Sequence, residues 1–179
     1  PSSNKDYETI AQDPKHFWME NYIPEFSCES ERKLGALGDG GKWICDPHRI
    51  KKNDCLVYSI GSFGVIGFEK EIISKLGCEV HTFDMDDGHR TEDGTFVSYT
   101  QKVKDVGATF HHNMLGSPTE EHKNGKRFKD IFSDLKHEGK TIDIMKIDCE
   151  GCEWEQYLEW FQDWKDAKVT VRQLLIELH

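Results

Sequence analysis

The sequence predicts an α/β fold in which a doubly wound, mostly parallel sheet carries helices on both faces. Two observations predict it. Apolar, β-branched runs alternate with amphipathic stretches along most of the 179 residues, which is the pattern of an open parallel sheet. A strand, a helix and a second strand also follow one another within about thirty residues, and such a βαβ unit requires parallel pairing with a right-handed crossover.

The βαβ unit begins with "DCLVYSIG", a nearly continuous apolar run typical of a strand that is buried on both faces. "GFEKEIISKLG" follows, with its apolar side chains on one helical face and Gly77 as the cap at its C-terminus. "CEVHTFDMD" is the second strand. The unit therefore consists of a strand over 54–61, a helix over 67–77 and a strand over 78–86.

The later elements continue the same alternation. Residues 90–107 contain both turn and helix signals, so they are left without a single assignment. The predicted elements are a third strand over 108–116, a helix over 126–139 that ends at Gly139, a fourth strand over 141–151, a helix over 154–166 and a fifth strand over 169–179.

Residues 1–33 are interpreted as a leader segment that packs on a single domain over 34–179, with a short helix over 14–23. The turn-rich stretch 35–47 closes with "KWIC", which fits a loop with an edge strand or a hairpin. Its part from Gly38 to Trp43 is either a lid over a pocket or a plain surface turn.

Composition narrows the range of functions. The formal net charge is −10, and the 23 Lys and Arg residues are scattered among 33 acidic ones. Nucleic-acid binders usually show a basic face, so we expect no nucleic-acid partner. No run reaches the ~18 apolar residues of a membrane helix, and no signal-peptide pattern is present. The chain opens at Pro1, so an upstream membrane anchor or signal stays open.

Polar residues stand where the predicted strands end, and ligands of open α/β sheets bind at that edge. The first strand runs into a turn with Gly61, Gly64 and Gly67. A dinucleotide fingerprint needs glycine at its second position, where this chain has Phe63, so a nicotinamide or flavin dinucleotide is disfavoured. Asp84 ends the second strand, where an acid accepts hydrogen bonds from ribose hydroxyls.

Five segments together resemble the FkbM-type branch of the S-adenosylmethionine-dependent methyltransferases, and in particular its methyltransferase-like proteins. They are "VYSIGSFGVIGFE", "VHTFDMD", "FHHNMLG", "IDIMKIDCEGCEWE" and "QLLIELH", preceded by "GDGGKW-CDP". The similarity covers roughly residues 34–179 and is most specific at Asp148 to Trp154. It implies a class I, Rossmann-like methyltransferase domain that uses S-adenosylmethionine.

The resemblance also implies where the cofactor binds. Gly61, Ser62 and Gly64 would border its methionine part, Asp84 would hold the ribose, and Asn113 with Met114 would lie against the adenine. Met85, next to Asp84, is a further candidate for binding the cofactor. Where many class I enzymes have an acid, this first strand ends in Ser59-Ile60-Gly61. Glu69 or Asp148 is therefore expected to contact the cofactor's ammonium group. The family's sheet continues past the fifth strand, so we expect the chain to be incomplete at its C-terminus.

The candidates for catalysis are Asp148, Glu150 and His179, with Glu177 beside them at the strand ends. A hydroxyl acceptor needs alignment and removal of its proton. His179 has a near-neutral ordinary pKa, and Asp148 suits a base or a ligand of a divalent ion, although no metal site is assigned. We expect O-methyl transfer to a hydroxyl or carboxyl group of a small molecule or glycan. A non-catalytic binding module and a dinucleotide oxidoreductase are the alternatives.

The chain has six cysteines, an even number that fits either three disulfide bridges or six free thiols. Cys55 and Cys78 stand at equal offsets before the ends of neighbouring strands, which places them side by side at disulfide distance. Cys28 and Cys45 are a second candidate pair. Cys149 and Cys152 are interpreted as packing around a turn. Bridges would fit the secretory route of the similar proteins, in the Golgi lumen or outside the cell, and buried free thiols would fit the cytoplasm.

Overall fold

The structure is a computed structural model that describes residues 26–38 and 40–179. Its strands are β1 (Glu31–Leu34), β2 (Lys42–Cys45), β3 (Leu56–Ile60), β4 (Glu79–Asp84), β5 (Gly88–Arg90), β6 (Phe96–Ser98), β7 (Thr109–His112), β8 (Met114–Leu115), β9 (Gly125–Lys126), β10 (Thr141–Ile142), β11 (Ile144–Ile147), β12 (Thr170–Val171) and β13 (Leu174–Ile176). Its helices are α1 (Gly67–Leu76), α2 (Tyr99–Asp105), α3 (Phe128–Leu135) and α4 (Cys152–Asp166), with a 3-10 turn at Pro47–Arg49.

Five parallel strands form the central sheet in the order β13-β11-β3-β4-β7. The chain builds outward from β3 through β4 to β7 and then returns to the other side of β3 with β11 and β13. The order of strands therefore reverses between β3 and β11, which opens a crevice at their carboxyl ends. The predicted α/β fold with a parallel sheet is confirmed.

Helices cover both faces of this sheet, which explains why all five residues of β3 are buried. Val57 packs into one apolar layer with Phe68 and Ile72 of α1. Tyr58 points into the opposite layer with Phe132 of α3, and Trp160 of α4 belongs to the same layer. Successive β3 side chains thus enter different layers, as the period of a strand requires.

Several predicted boundaries are corrected. The helix expected over 126–139 ends at Leu135, because Lys136 takes a left-handed φ of 57° and its N–H bonds back to Phe132. The last helix begins two residues before the predicted Trp154, at Cys152. Each of the last three predicted strands is split in two: β7 and β8, β10 and β11, and β12 and β13. By contrast, α1 ends at Leu76 with Gly77 as its left-handed cap, as predicted.

The segments without a single assignment also have definite structures. β1 and β2 form an antiparallel hairpin in which Leu34 pairs with Lys42. Residues 90–107 contribute to the β5–β6 hairpin and to α2. The predicted helix over 14–23 and most of the leader segment lie outside the described residues. No helix in the described ranges has the length and apolar character to cross a membrane.

Three cysteine pairs stand at disulfide distance. The Cα atoms of Cys55 and Cys78 are 4.7 Å apart, as the equal offsets predicted. Cys28 and Cys45 form the second bridge. The third joins Cys149 to Cys152, which corrects their interpretation as packing residues. Glu150 and Gly151 both adopt left-handed φ values between them, and this tight turn brings the two cysteines together.

We expect replacement of both Cys55 and Cys78 by alanine to lower the free energy of unfolding by about 3 kcal/mol, the loss of loop-closure entropy for a bridge that spans 23 positions. Urea denaturation of the variant and the parent checks this. Alkylation without reductant, followed by intact-mass measurement, should label no thiol in the parent. The reduced and denatured parent is the control and should carry six labels; six labels without reductant would contradict the bridges.

Candidate functional site

The candidate site lies at the carboxyl edge of the central sheet, on both sides of the crevice. The sheet's hydrogen bonding continues one residue past its strands. Gly61 N–H donates to Phe83 at 2.9 Å, Asp148 N–H donates to Ile60 at 3.1 Å, and Glu177 N–H donates to Ile147 at 3.0 Å. Three loop residues that are far apart in sequence, Gly61, Asp148 and Glu177, are therefore fixed side by side.

The glycine turn is shaped by close packing of the chain against itself. Gly61 has a φ of 69°, and a Cβ atom added there would lie 1.7 Å from the carbonyl oxygen of Asp148. A Cβ on Gly64 would lie 2.5 Å from the ring of Tyr99. Both positions thus exclude any side chain. That Gly61 and Gly64 also border a cofactor stays a prediction.

Asp84 is buried and holds the glycine turn in place. Its Oδ2 accepts hydrogen bonds from the N–H groups of Ser62 at 2.9 Å and Phe63 at 2.7 Å, and from the Ser62 hydroxyl at 3.3 Å. Its Oδ1 accepts from the N–H of Asp86 at 3.2 Å. A carboxylate oxygen has two lone pairs, so Oδ1 retains capacity for a ligand hydroxyl. The two loop N–H groups are already used and offer nothing to a pyrophosphate.

Glu69 lies beneath the edge and is only 1% exposed. The Ser59 hydroxyl donates to its Oε1 at 2.5 Å, and no hydrogen bond from the described residues reaches its Oε2. Burial raises the pKa of Glu69, even though the Ser59 bond and the charge of Lys146 oppose the rise. Glu69 is therefore a buried acid beneath the glycine turn. Its contact with the ammonium group of the cofactor stays a prediction.

Asp148 is the centre of the charged groups at the edge, and 17% of its side chain is exposed. Its Oδ2 lies 3.2 Å from Lys42 Nζ and 3.4 Å from Lys146 Nζ, and its Oδ1 lies 3.2 Å from His179 Nε2. Burial alone would raise the pKa of Asp148, but Lys146, His179 and Lys42 outweigh it and lower that pKa. The carboxylate is therefore a stable anion and a poor base at neutral pH.

His179 joins two carboxylates. Its Nδ1 lies 3.4 Å from Glu150, opposite the contact to Asp148, and its carbonyl oxygen accepts a hydrogen bond from Trp154 Nε1 at 2.7 Å. Burial is the largest single effect and opposes protonation, but Asp148 and Glu150 together outweigh it and raise the pKa of His179. The structure thus brings together all three candidate catalytic residues, whose ligand atoms lie within 4.8 Å of one another.

Two lysines of the site were missed by the sequence analysis. Lys146 is buried within β11, and its Nζ donates to the carbonyl groups of Gly61 and Ile60. A lysine inside the apolar run "IMKI" was a usable signal, because buried lysines need partners. Lys42 also contacts Glu177. Nothing local marked Lys42, because its role arises from how the β1–β2 hairpin docks on the edge.

The predicted adenine region lies farther along the edge, past β4. Met85 is exposed, and its carbonyl oxygen accepts hydrogen bonds from His112 Nε2 at 2.7 Å and from Asn124 Nδ2 at 3.1 Å. Asn113 donates to the carbonyl of Asn124 at 3.1 Å, and Met114 begins β8. Backbone and side-chain contacts thus join these segments into one wall beside Asp84.

Comparison with known proteins gives one match. A protein-family model described as a methyltransferase domain matches residues 2–179. Searches of curated proteins and of solved structures gave no match.

We expect Gly61→Ala to destabilise the protein far more than Gly139→Ala. Gly139 has a similar φ of 73° but no atom within 4 Å of its added Cβ, so it carries only the left-handed cost of about 1–2 kcal/mol. Gly61→Ala adds the clash with Asp148, about 1–3 kcal/mol more on the scale of overpacking. Urea unfolding of both variants measures the difference, and equal losses would contradict the close approach.

Proposed function

Because the chain belongs to the methyltransferase-domain family, we propose that it is an S-adenosylmethionine-dependent methyltransferase of the class I, FkbM-like type. The observation that carries the proposal is the placement of two carboxylates, Asp84 and Asp148, at the carboxyl ends of the strands on either side of the Gly61 turn. Asp84 is the last residue of β4, to one side of β3, and Asp148 directly follows β11, to the other. Ligands of open α/β sheets bind at this reversal of strand order.

The residues at the edge fit the chemistry of the cofactor. The free capacity of Asp84 Oδ1 suits a ribose hydroxyl, and the exposed side chain of Met85 beside it suits the face of an adenine ring. Asp148 offers an anion to the ammonium group. Ser62 and Gly64 would lie along the methionine part.

When bound, S-adenosylmethionine would supply a methyl group on a positively charged sulfur, so the protein has to align the acceptor and manage its proton. We assign proton removal to His179. In its neutral form, Nε2–H donates to Asp148 and Nδ1 accepts the proton of an acceptor hydroxyl. Asp148 and Glu150 then stabilise the imidazolium. An ionised carboxyl acceptor would need alignment alone.

We propose a small molecule or glycan as the acceptor. The exposed indole of Trp154 adjoins the site, because its Nε1–H donates to the carbonyl oxygen of His179. Amphipathic aromatic rings of this kind suit the apolar faces of sugars, and the nearby carboxylates suit their hydroxyls. A dinucleotide oxidoreductase is disfavoured twice, by Phe63 in the turn and by the loop N–H groups that Asp84 already occupies.

The three cysteine bridges support a location in an oxidising compartment. We propose the secretory pathway, either the Golgi lumen or the extracellular space.

We expect calorimetry to detect binding of S-adenosylmethionine or S-adenosylhomocysteine but not of NAD. Asp84→Ala should weaken that binding by about 1.5–3 kcal/mol, the range for hydrogen bonds to a charged group. Asp86→Ala is the matched control, since Asp86 is exposed two residues away, and it should bind normally. Thermal unfolding verifies that the Asp84 variant is folded. Unchanged binding in that variant would remove Asp84 from the site.

We expect Asp148→Asn to lower turnover at least about tenfold more than it lowers cofactor affinity, because the carboxylate's support of His179 acts mainly in the transition state. Transfer of labelled methyl groups to a panel of hydroxyl and carboxyl acceptors measures turnover. The rate should rise with pH through an inflection above 6.5, the ordinary value that His179 exceeds, and the variant's inflection should move down.

Three results would contradict the assignment. Equal losses of turnover and affinity would make Asp148 a cofactor ligand only. Loss of turnover on addition of a chelator would make Asp148 a metal ligand. Cofactor binding without transfer to any acceptor in the panel would favour a non-catalytic binding module on this fold.

A further inference from the structure

A second group of titratable side chains lies away from the carboxyl edge, where β4 begins. Glu79 is the first residue of β4 and His81 the third, and His137 follows α3. One ligand atom from each of the three lies within 4.8 Å of the others. His81 and His137 are buried, and their rings meet edge to face with centroids 5.1 Å apart. The proposed methyl transfer uses none of these residues.

Each histidine has one nitrogen held by a neighbouring side chain. His81 Nδ1 lies 2.8 Å from His111 Nε2, and His137 Nδ1 lies 2.7 Å from the hydroxyl of Tyr58. His81 Nε2 is therefore the nitrogen that meets Glu79, at 2.9 Å from Oε1. His137 Nε2 is left for a further partner. Metal-binding histidines commonly have this arrangement, with one nitrogen on the ion and the other hydrogen-bonded behind it.

Glu79 gives the group access to solvent. Its side chain is 59% exposed, whereas His81 and His137 are buried. An ion therefore has a route from solvent to the two imidazoles, and the carboxylate supplies an anionic ligand beside them.

We propose that Glu79, His81 and His137 bind one zinc ion, with His111 and Tyr58 orienting the two imidazoles from behind. Two histidines and one glutamate form a ligand set that zinc accepts, with water in the fourth position. Ligands about 2.0–2.1 Å from a tetrahedral ion lie about 3.3 Å from one another. The Glu79–His81 pair is already near that separation at 2.9 Å, and no pair of the three ligand atoms is more than 4.8 Å apart, so binding needs only a small shift of the side chains.

The ion would connect parts of the chain that are distant in sequence. Glu79 and His81 belong to a central strand, whereas His137 belongs to the connection from α3 to β10. A bound ion would thus stabilise the folded state, because the unfolded chain does not hold these ligands together. The other clusters of possible ligands in the described residues are weaker candidates. Cys149 and Cys152 are bridged to each other, and Asp148, Glu150 and His179 belong to the proposed active site.

The test is zinc titration of chelator-stripped, non-reduced protein in competition with a chromophoric chelator, with metal analysis after dialysis. We expect one zinc per chain and a rise in melting temperature on zinc addition. Glu79→Gln, which changes an exposed side chain, should weaken binding at least tenfold. His137→Gln should abolish binding. The controls are His112→Gln, at an exposed histidine on β7, and His179→Gln, in the other cluster, and both should keep the ion.

Absence of stoichiometric zinc in the parent would overturn the proposal. So would affinity that survives Glu79→Gln, or affinity that is lost in His179→Gln, since that result would place the ion at the carboxyl edge. If His137→Gln proves unstable, cobalt substitution in the folded Glu79→Gln variant decides. Its visible spectrum should lose the tetrahedral bands that the parent shows, and an unchanged spectrum would refute ligation by Glu79.

Discussion

The approach of Gly61 to the carbonyl of Asp148 is the constraint on which the rest of the site depends. At 1.7 Å from a hypothetical Cβ, this contact leaves no space between the ends of β3 and β11, so the two loops cannot shift independently. The turn after β3 then has to leave in a left-handed conformation, and Asp84 secures it by accepting two of its N–H groups. Both carboxylates of the proposed cofactor site are positioned by this packing.

The contact between Gly61 and Asp148 also fixes the positions of the charged side chains at the carboxyl edge. Lys146 lies below the turn and donates to the carbonyl group of Gly61, so its ammonium group stays beside Asp148 even though burial lowers its pKa. Lys42 approaches from the hairpin, and its pKa is raised because Glu177 and Asp148 outweigh the effect of burial. With His179, three nitrogen bases surround one carboxylate. Such a network keeps Asp148 ionised and leaves His179 as the group that exchanges protons near neutral pH.

The sequence predicted those features that depend on local patterns. The run "LVYSI" identified the central strand, Gly77 identified the end of α1, and equal offsets paired Cys55 with Cys78. Features set by distant contacts or by unusual backbone were not predictable. Lys136 ends α3 in a conformation that lysine seldom adopts, left-handed residues join Cys149 to Cys152, and Lys42 reaches Asp148 only after the hairpin docks. The candidate acids at the strand ends could be named in advance. Of their lysine partners, Lys146 carried a signal in its apolar run, whereas Lys42 carried none.

The central position of β3 has a consequence for synthesis. One edge of this strand pairs with β4, which follows soon after it, but the other edge waits for β11, as the bond between Leu56 and Asp143, 87 positions apart, illustrates. At roughly 5–20 residues per second, the ribosome needs about 4–17 s to make that stretch. Throughout this interval, an apolar strand with an unpaired edge is available to other chains. The Cys55–Cys78 bridge joins β3 to β4 at their beginnings, so an oxidising compartment can lock the first half of the sheet before its other half exists.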